Sequence, residues 1–428
     1  MLSMTSRTSM KLLAPLRDRQ SGPLLASFWA AELADGIISV VVPVAVYAIT
    51  QDVSAVALVF LGRMLLGIVM AHLGGWLADR YQRKYLLLFN YFVRTLCAAA
   101  ILLWQDQVFI FALLGIVLGS LGAFDNPAAE AGVRSVFRHD LQAVAVMRNV
   151  GRTLSQMIGP ALGGLLFGMA GVGIALWTSI GLTLLAMLII VPVAPLPQGS
   201  PRAKSLPGQK TSKPHKPRLI GAVFMATFLS SFLVGVVVAV GVPHLEQDSS
   251  APTGAYGYAL AIYSLGAVIG SWIAGLIRWR DNQLPRVLLI SAGAYGLIAA
   301  AGMLGPWWTI LISWFVWGIC FGPEDILSDR YVVSRTADKE LGSLYARWSN
   351  IGRFGAAAAY VSMLIWGTPN PTILALVLSL GAVIIAPLLI AIPLARQRQA
   401  QQSPKVRTQE SKSSVSSNGA VDDLGSHF

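Results

Sequence analysis

The sequence predicts an all-α membrane protein with twelve transmembrane helices in two pseudo-symmetric six-helix bundles. Three observations carry that expectation. Only 12% of the 428 residues are charged while 55% are hydrophobic, a charge content about half that of a soluble protein. The apolar residues also fall in runs near 20, the length that crosses ~30 Å of hydrocarbon. Finally, features of the first half recur in the second at an offset of about 200 residues, the mark of an internal repeat.

Taken in order, the chain opens with a basic arm, residues 1–23, carrying Arg7, Lys11, Arg17 and Arg19. Its first apolar run is too long for a signal-peptide core and contains Glu32 and Asp35, so no cleavage is expected. Six spans are predicted near 24–50, 54–78, 85–104, 108–134, 141–169 and 172–194, forming an N-terminal bundle over 24–194. Residues 195–218 are rich in Pro, Ser and Lys and hold no acid, the composition of a flexible linker. Six further spans follow near 219–243, 255–278, 285–304, 307–329, 343–367 and 371–395, a C-terminal bundle over 219–395. The tail, 396–428, is rich in Gln, Ser and charge and reads as disordered.

Charge placement orients the spans. The turns Thr50–Ser54, Trp104–Gln107, Ala170–Val172, His244–Gly254, Gly305–Trp308 and Gly367–Pro371 contain no Lys or Arg. The opposite turns, the linker and both termini carry nearly all of them, which places those parts in the cytoplasm of a multi-pass protein of the cytoplasmic (inner) membrane. The net charge of +12 is therefore an orientation signal, with the lipid bilayer as partner and no nucleic acid. Cys97 and Cys320 lie far apart in apolar runs and give no disulfide or metal pattern.

The repeat is specific. Phe28 and Pro43 match Phe228 and Pro243, and Asn149–Arg152 (Asn-Val-Gly-Arg) matches Asn350–Arg353 (Asn-Ile-Gly-Arg). Gly74-Gly75-Trp76-Leu77-Ala78-Asp79 has a degenerate echo in Gly270-Ser271-Trp272-Ile273-Ala274-Gly275. Two parallel six-helix repeats are the plan of a secondary transporter with its small-molecule site at their interface.

Between spans 2 and 3 the chain reads G-G-W-L-A-D-R-Y-Q-R-K from Gly74 to Lys84. This segment resembles the G-x-L-A-D-R-x-G-R-K signature of the major facilitator superfamily, departing at Gln82, where a glycine is usual. The resemblance implies that Gly75, Asp79, Arg80 and Arg83 belong to a cytoplasmic gate. Gly159-Pro160-Ala161-Leu162-Gly163-Gly164 resembles the G-P-x-x-G-G motif of that family's exporters, with small Ser155 four residues earlier. A proline kink beside small residues permits bending and close packing, so Gly159, Pro160, Gly163 and Gly164 form a helix-bending motif. Phe124-Asp125-Asn126-Pro127-Ala128 is similar to the branch that holds macrolide efflux pumps and siderophore exporters of the enterobactin type. The Arg in span 4 of many proton/drug antiporters is absent from 109–123.

No enzyme constellation is present: there is no Gly-Lys dipeptide for a phosphate-binding loop, no H-E-x-x-H and no G-x-S-x-G. Neither enzymatic activity, a cofactor nor a resident metal is expected, and energy is expected from a gradient. The informative residues are charges within spans, each costing ~2.5–3.5 kcal/mol at mid-bilayer on insertion scales. Asp35 lies ~16 Å from the cytoplasmic end of span 1 and Arg63 ~13 Å from the outer end of span 2, so both are near mid-depth. Glu32, Asp35, Arg63 and Arg94 are the proton-coupling and substrate candidates. The acids could bind protons, or they could form fixed pairs, Asp35 with Arg63 or Glu32 with Arg94. Asp125, Arg152, Asp325 and Arg353, placed toward the cytoplasmic ends of their spans, are further gate candidates; the alternative is solvated helix ends. Glu130, Glu324 and Asp329 belong to the same helix-end set, and Arg148 and Arg347 pair by repeat like Arg152 and Arg353.

The function expected is proton-coupled export, by alternating access, of a small polar metabolite such as a siderophore or other metal chelator. A multidrug or macrolide-type efflux pump, an importer and a non-transporting membrane sensor are the alternatives.

Overall fold

The computed structural model describes residues 14–105, 107–136, 141–196, 219–248, 250–277, 279, 283–335, 338–366, 372–392 and 395. Residues 1–13 of the arm, 197–218 of the linker, the turn 367–371 and the tail 396–428 lie outside them, as does the side chain of Glu130. A short helix α1 (Ala14–Arg17) is followed by α2 (Ser21–Thr50), α3 (Val53–Arg80), α4 (Arg83–Leu103), α5 (Val108–Val136) and α6 (Leu141–Ile190). The second bundle comprises α7 (Ile220–Gln247), α8 (Ala255–Leu276), α9 (Leu284–Leu304), α10 (Trp307–Arg335), α11 (Asp338–Trp366) and α12 (Thr372–Ile392).

Ten helices among the described residues are long and apolar enough to cross a membrane on their own. Two adjustments turn that number into twelve crossings. α6 is broken at Ala170 (φ −147°) and Gly171 (φ 74°, ψ −165°), where the predicted turn falls, and so supplies two limbs. Gly171 holds a left-handed φ that a side chain would resist. α11 is 29 residues long but interrupted by polar Asn350 and Arg353, which lowers its hydropathy without shortening it.

Most helix ends agree with the apolar runs, but charge and proline shift a few. α7 continues through Pro243 to Gln247, because a proline in a helix can be accommodated when neighbouring helices pack around it. The two signature glycines lie within α3. The turn itself is Tyr81–Gln82. Gln82 adopts φ −64°, ψ 120°, ordinary extended geometry. A glycine is therefore not needed at this position, which accounts for the departure from the family pattern.

Packing follows the repeat. α2 lies on the first limb of α6, and α3 lies on α5; the second bundle repeats this with α7 on α11 and α8 on α10. The bundles meet along two seams related by the same symmetry, α6 against α8 and α3 against α11. At the end away from the 74–84 turn one apolar core is shared, with Val40, Val44 and Tyr47 of the first bundle packed with Val240, Leu245 and Tyr256 of the second. There Gln247 Nε2 donates to Tyr47 Oη at 2.7 Å, and Phe60 stacks on Tyr360 with ring centroids 5.5 Å apart. At the other end each bundle keeps its own core, around Leu24, Phe28 and Leu87 in one and around Ala226, Leu288 and Leu327 in the other. The molecule is thus closed at one end and parted at the end bearing the signature turn.

Candidate functional site

Small residues bring the backbones together where the bundles meet. In α6, Gly151, Ser155, Gly159 and Gly163 recur every four residues and form one face. Ser155 Oγ donates to Trp29 O at 3.1 Å. A Cβ on Gly159 would stand 2.7 Å from Gly36 Cα, and one on Gly163 would stand 2.8 Å from Ile37 O. This face therefore clamps α6 to α2 within the first bundle. Gly164 points to the other bundle: a Cβ there would lie 2.5 Å from Gly254 O and 2.9 Å from Gly257 Cα. The motif expected to bend a helix also builds the seam between the two halves.

Two cavities share Ser39, Arg63, Gly119 and Ala123, and one of them reaches α11 of the second bundle. One, of about 310 Å³, is lined by Glu32, Asp35, Arg63, Asn126, Arg152 and Gln156, with Pro160 on its wall. The other, of about 350 Å³, is lined by Arg63, Arg353, Ser120, Phe60, Met64 and Tyr360. A third space, of about 60 Å³, lies wholly in the second bundle against Val237, Leu260, Tyr263, Trp314 and Trp317. Its wall is apolar and aromatic.

The intramembrane charges do not pair as either sequence-level alternative had it. Arg94, 2% exposed, reaches Asp35 Oδ2 at 3.0 Å and Asp125 Oδ2 at 3.3 Å. One guanidinium thus serves two carboxylates across α2, α4 and α5. Arg63 instead gives its Nε to Gly119 O at 2.9 Å, while Glu32 sits at the cavity wall with Arg152. Asp125, expected at the gate opposite the acids of α10, is 3% exposed and committed to Arg94 within its own bundle. The rotation of α5 turns Asp125 inward, toward Arg94.

Arg152 and Arg353, the other gate candidates, both line the cavities. Asp325 is exposed and forms no ion pair among the described residues, whereas its neighbour Glu324 is buried and accepts Tyr295 Oη at 2.6 Å. In the signature turn Asp79 and Arg80 are exposed and Arg80 lies 3.9 Å over the Trp76 ring, while Arg83 is buried. Gly75 borders open space, since a Cβ there would meet nothing within 4 Å; its neighbour Gly74 presses on the Phe124 carbonyl. Gly270 repeats this against Ile319 O. Gly74, rather than Gly75, provides the close approach.

Sequence reasoning passed over Lys84, whose Nζ caps the end of α6 through Val191 O at 2.7 Å and also binds Val193 O. It also missed Ser39, Gln156 and Tyr360 on the cavity walls. Their signal, a polar residue in the middle of an apolar span, is weaker than a charge.

The family model of the Major Facilitator Superfamily matches residues 24–224 and again 223–421, one match for each bundle. The chain belongs to the major facilitator superfamily. Members of this superfamily are membrane transporters, in keeping with a cavity lined by both repeats. Among its relatives, the enterobactin exporter EntS of Escherichia coli O1:K1 / APEC is 26% identical over 402 residues, covering 88% of this chain and 92% of the relative. EntS of Shigella flexneri is 27% identical over 395 residues with the same coverage.

Solved structures agree on the fold. The POT family transporter PepTSo superposes with a TM-score of 0.68 at 10% identity, covering 88% of this chain and 98% of its own. A bacterial homologue of the iron transporter ferroportin in an inward-facing state gives 0.64 at 13%, covering 87% and 98%. As a superfamily member, this chain carries its signature turn at the parted end, where Asp79 and Arg80 are exposed.

Proposed function

We propose that this transporter exports a small, polar, partly anionic metabolite, such as a siderophore or other metal chelator, in exchange for protons by alternating access. One observation carries the reading: two adjoining cavities share Arg63, one reaching Arg353 and Tyr360 of the second bundle and the other lined by Glu32, Asp35 and Arg152 of the first. Charged groups at mid-membrane are costly unless they serve a pathway. A cavity reached from both repeats is one that rocking can expose to either side in turn. The similarity to proteins named as enterobactin exporters points to the same substrate class and direction.

Glu32 and Asp35 are the proton-coupling candidates, both on the wall of the 310 Å³ cavity. By the positive-inside rule the 74–84 turn, the linker and both termini face the cytoplasm. On that orientation the parted end opens inward, ready to load an exported molecule. The chain divides into a bundle over 24–194, a linker over 195–218 and a bundle over 219–395, with a cytoplasmic arm and tail.

The test is direct. A strain lacking the gene should retain its siderophore inside, and proteoliposomes holding the protein should move that chelator when a pH gradient is imposed. Normal secretion in the deletion strain would sink the substrate assignment. Asp35→Asn should abolish gradient-driven flux, and intact flux in that variant would remove Asp35 from the coupling.

The aromatic wall of Tyr263, Trp314 and Trp317 favours a second reading, efflux of apolar drugs. Susceptibility profiles of deletion and overexpression strains separate the two.

A further inference from the structure

We infer that Arg63 and Arg353 form one anion-binding site spanning the two bundles, and that it receives an oxyanion group of the transported molecule. The inference rests on the transport reading above and narrows it to a residue pair. Arg63 comes from α3 and Arg353 from α11, and both line the 350 Å³ cavity. That cavity has no Asp or Glu among its lining residues. Glu32 and Asp35 border the neighbouring cavity, which Arg63 also lines, and Asp35 and Asp125 are both bound to Arg94.

Both arginines line one open-sided space, and no carboxylate shares that wall. Like charges there repel, and an oxyanion between them offsets the repulsion and matches the planar fork of donors in arginine. Arg63 is already oriented for this. Its Nε–H is held by Gly119 O at 2.9 Å, which fixes the plane and leaves the terminal N–H groups for a ligand. Ser39, Ser120 and Tyr360 add hydroxyls to the same wall.

The placement also links binding to motion. Phe60 stacks on Tyr360 beside the cavity, tying α3 to α11 in the state described. An anion held by Arg63 and Arg353 ties the same two helices. When the seam opens, the guanidiniums separate and the bidentate site ceases to exist. A ligand with different affinity for two states shifts their balance, so the anion couples loading to closure of this seam. With Gly74 matched to Gly270, the position in α8 that repeats Arg63 is Ala259, so the second bundle offers no matching cation.

The experiment uses the full-length protein in detergent, with citrate and inorganic phosphate as probes, read by calorimetric titration and thermal unfolding. Citrate should bind and raise the Tm. Arg63→Gln and Arg353→Gln should each weaken citrate binding about tenfold, the loss of one charged hydrogen-bonding group. The double variant should be weaker than either single one, because each arginine supplies its own charged hydrogen bonds to the same anion. Arg286→Gln, an exposed position on α9, should leave binding unchanged. Arg63→Lys and Arg353→Lys keep the charge without the fork and serve if a Gln variant fails to fold; they should fall between wild type and the tenfold loss.

Citrate affinity that survives Arg353→Gln would show that the site does not span the bundles, which overturns the inference. Phosphate binding without citrate binding would assign the site to a free inorganic ion and overturn its assignment to substrate. If citrate binding depends on both arginines yet no chelator flux is seen, the export reading falls and the anion site stands.

Discussion

Arg94 decides how the first bundle tolerates its buried acids. It is buried among α2, α4 and α5, holding Asp35 at 3.0 Å and Asp125 at 3.3 Å. Removing one partner of a buried ion pair leaves uncompensated charge and costs about 3–5 kcal/mol. Arg94→Gln should therefore abolish most of the monodisperse protein recovered by size exclusion in detergent. Adding Asp35→Asn and Asp125→Asn should restore it, because the triad is then neutral throughout. A stable Arg94→Gln single variant would show that the acids do not depend on this guanidinium. Residue chemistry in the sequence announced that these charges needed partners, but could not say which. Pairing depends on helix rotation, and α2, α4 and α5 turn Asp35 and Asp125 toward Arg94, leaving Arg63 to the cavities.

Among the helices, α6 carries the most structural work. One face of small residues fits α2, and Gly164 meets α8 across the seam. A side chain at Gly164 would have to displace the Gly254 carbonyl and the Gly257 backbone, which is expensive in a packed interior. Gly164→Leu should thus disfavour the state described here and populate one in which the α6–α8 seam is open. The measurement is cross-linking between Tyr47→Cys and Gln247→Cys, a pair now joined by a 2.7 Å hydrogen bond, in a background with Cys97→Ser and Cys320→Ser. Cross-linking yield should fall severalfold with Gly164→Leu; an unchanged yield would mean that the seam adapts around the larger residue. The motif itself was legible because glycine and proline in an apolar span are conspicuous. That it joins two partners on two faces was not, since a glycine does not declare what lies against it.

The whole molecule is sealed by a shared core at one end and parted at the other. If transport needs the sealed end to open, locking it should stop flux. Oxidising the Tyr47→Cys, Gln247→Cys double variant to a disulfide should therefore abolish substrate movement in proteoliposomes, and a reductant should restore it. Flux through the oxidised protein would exclude a mechanism that opens this end.

The sequence alone determined the class, the span count and the repeat. These depend on chain-local quantities: twenty apolar residues cross a bilayer whatever they pack against, and lysines and arginines mark one set of turns. It also determined which residues were out of place in lipid, namely Glu32, Asp35, Arg63 and Arg94. Tertiary structure decided the rest: that Asp125 pairs with Arg94, that Arg353 lines a cavity with Arg63, and that Gly164 faces the second bundle. The physical reason is rotation. A helix presents a different neighbour every 100° or so, and no local pattern specifies which face will meet which helix from two hundred residues away.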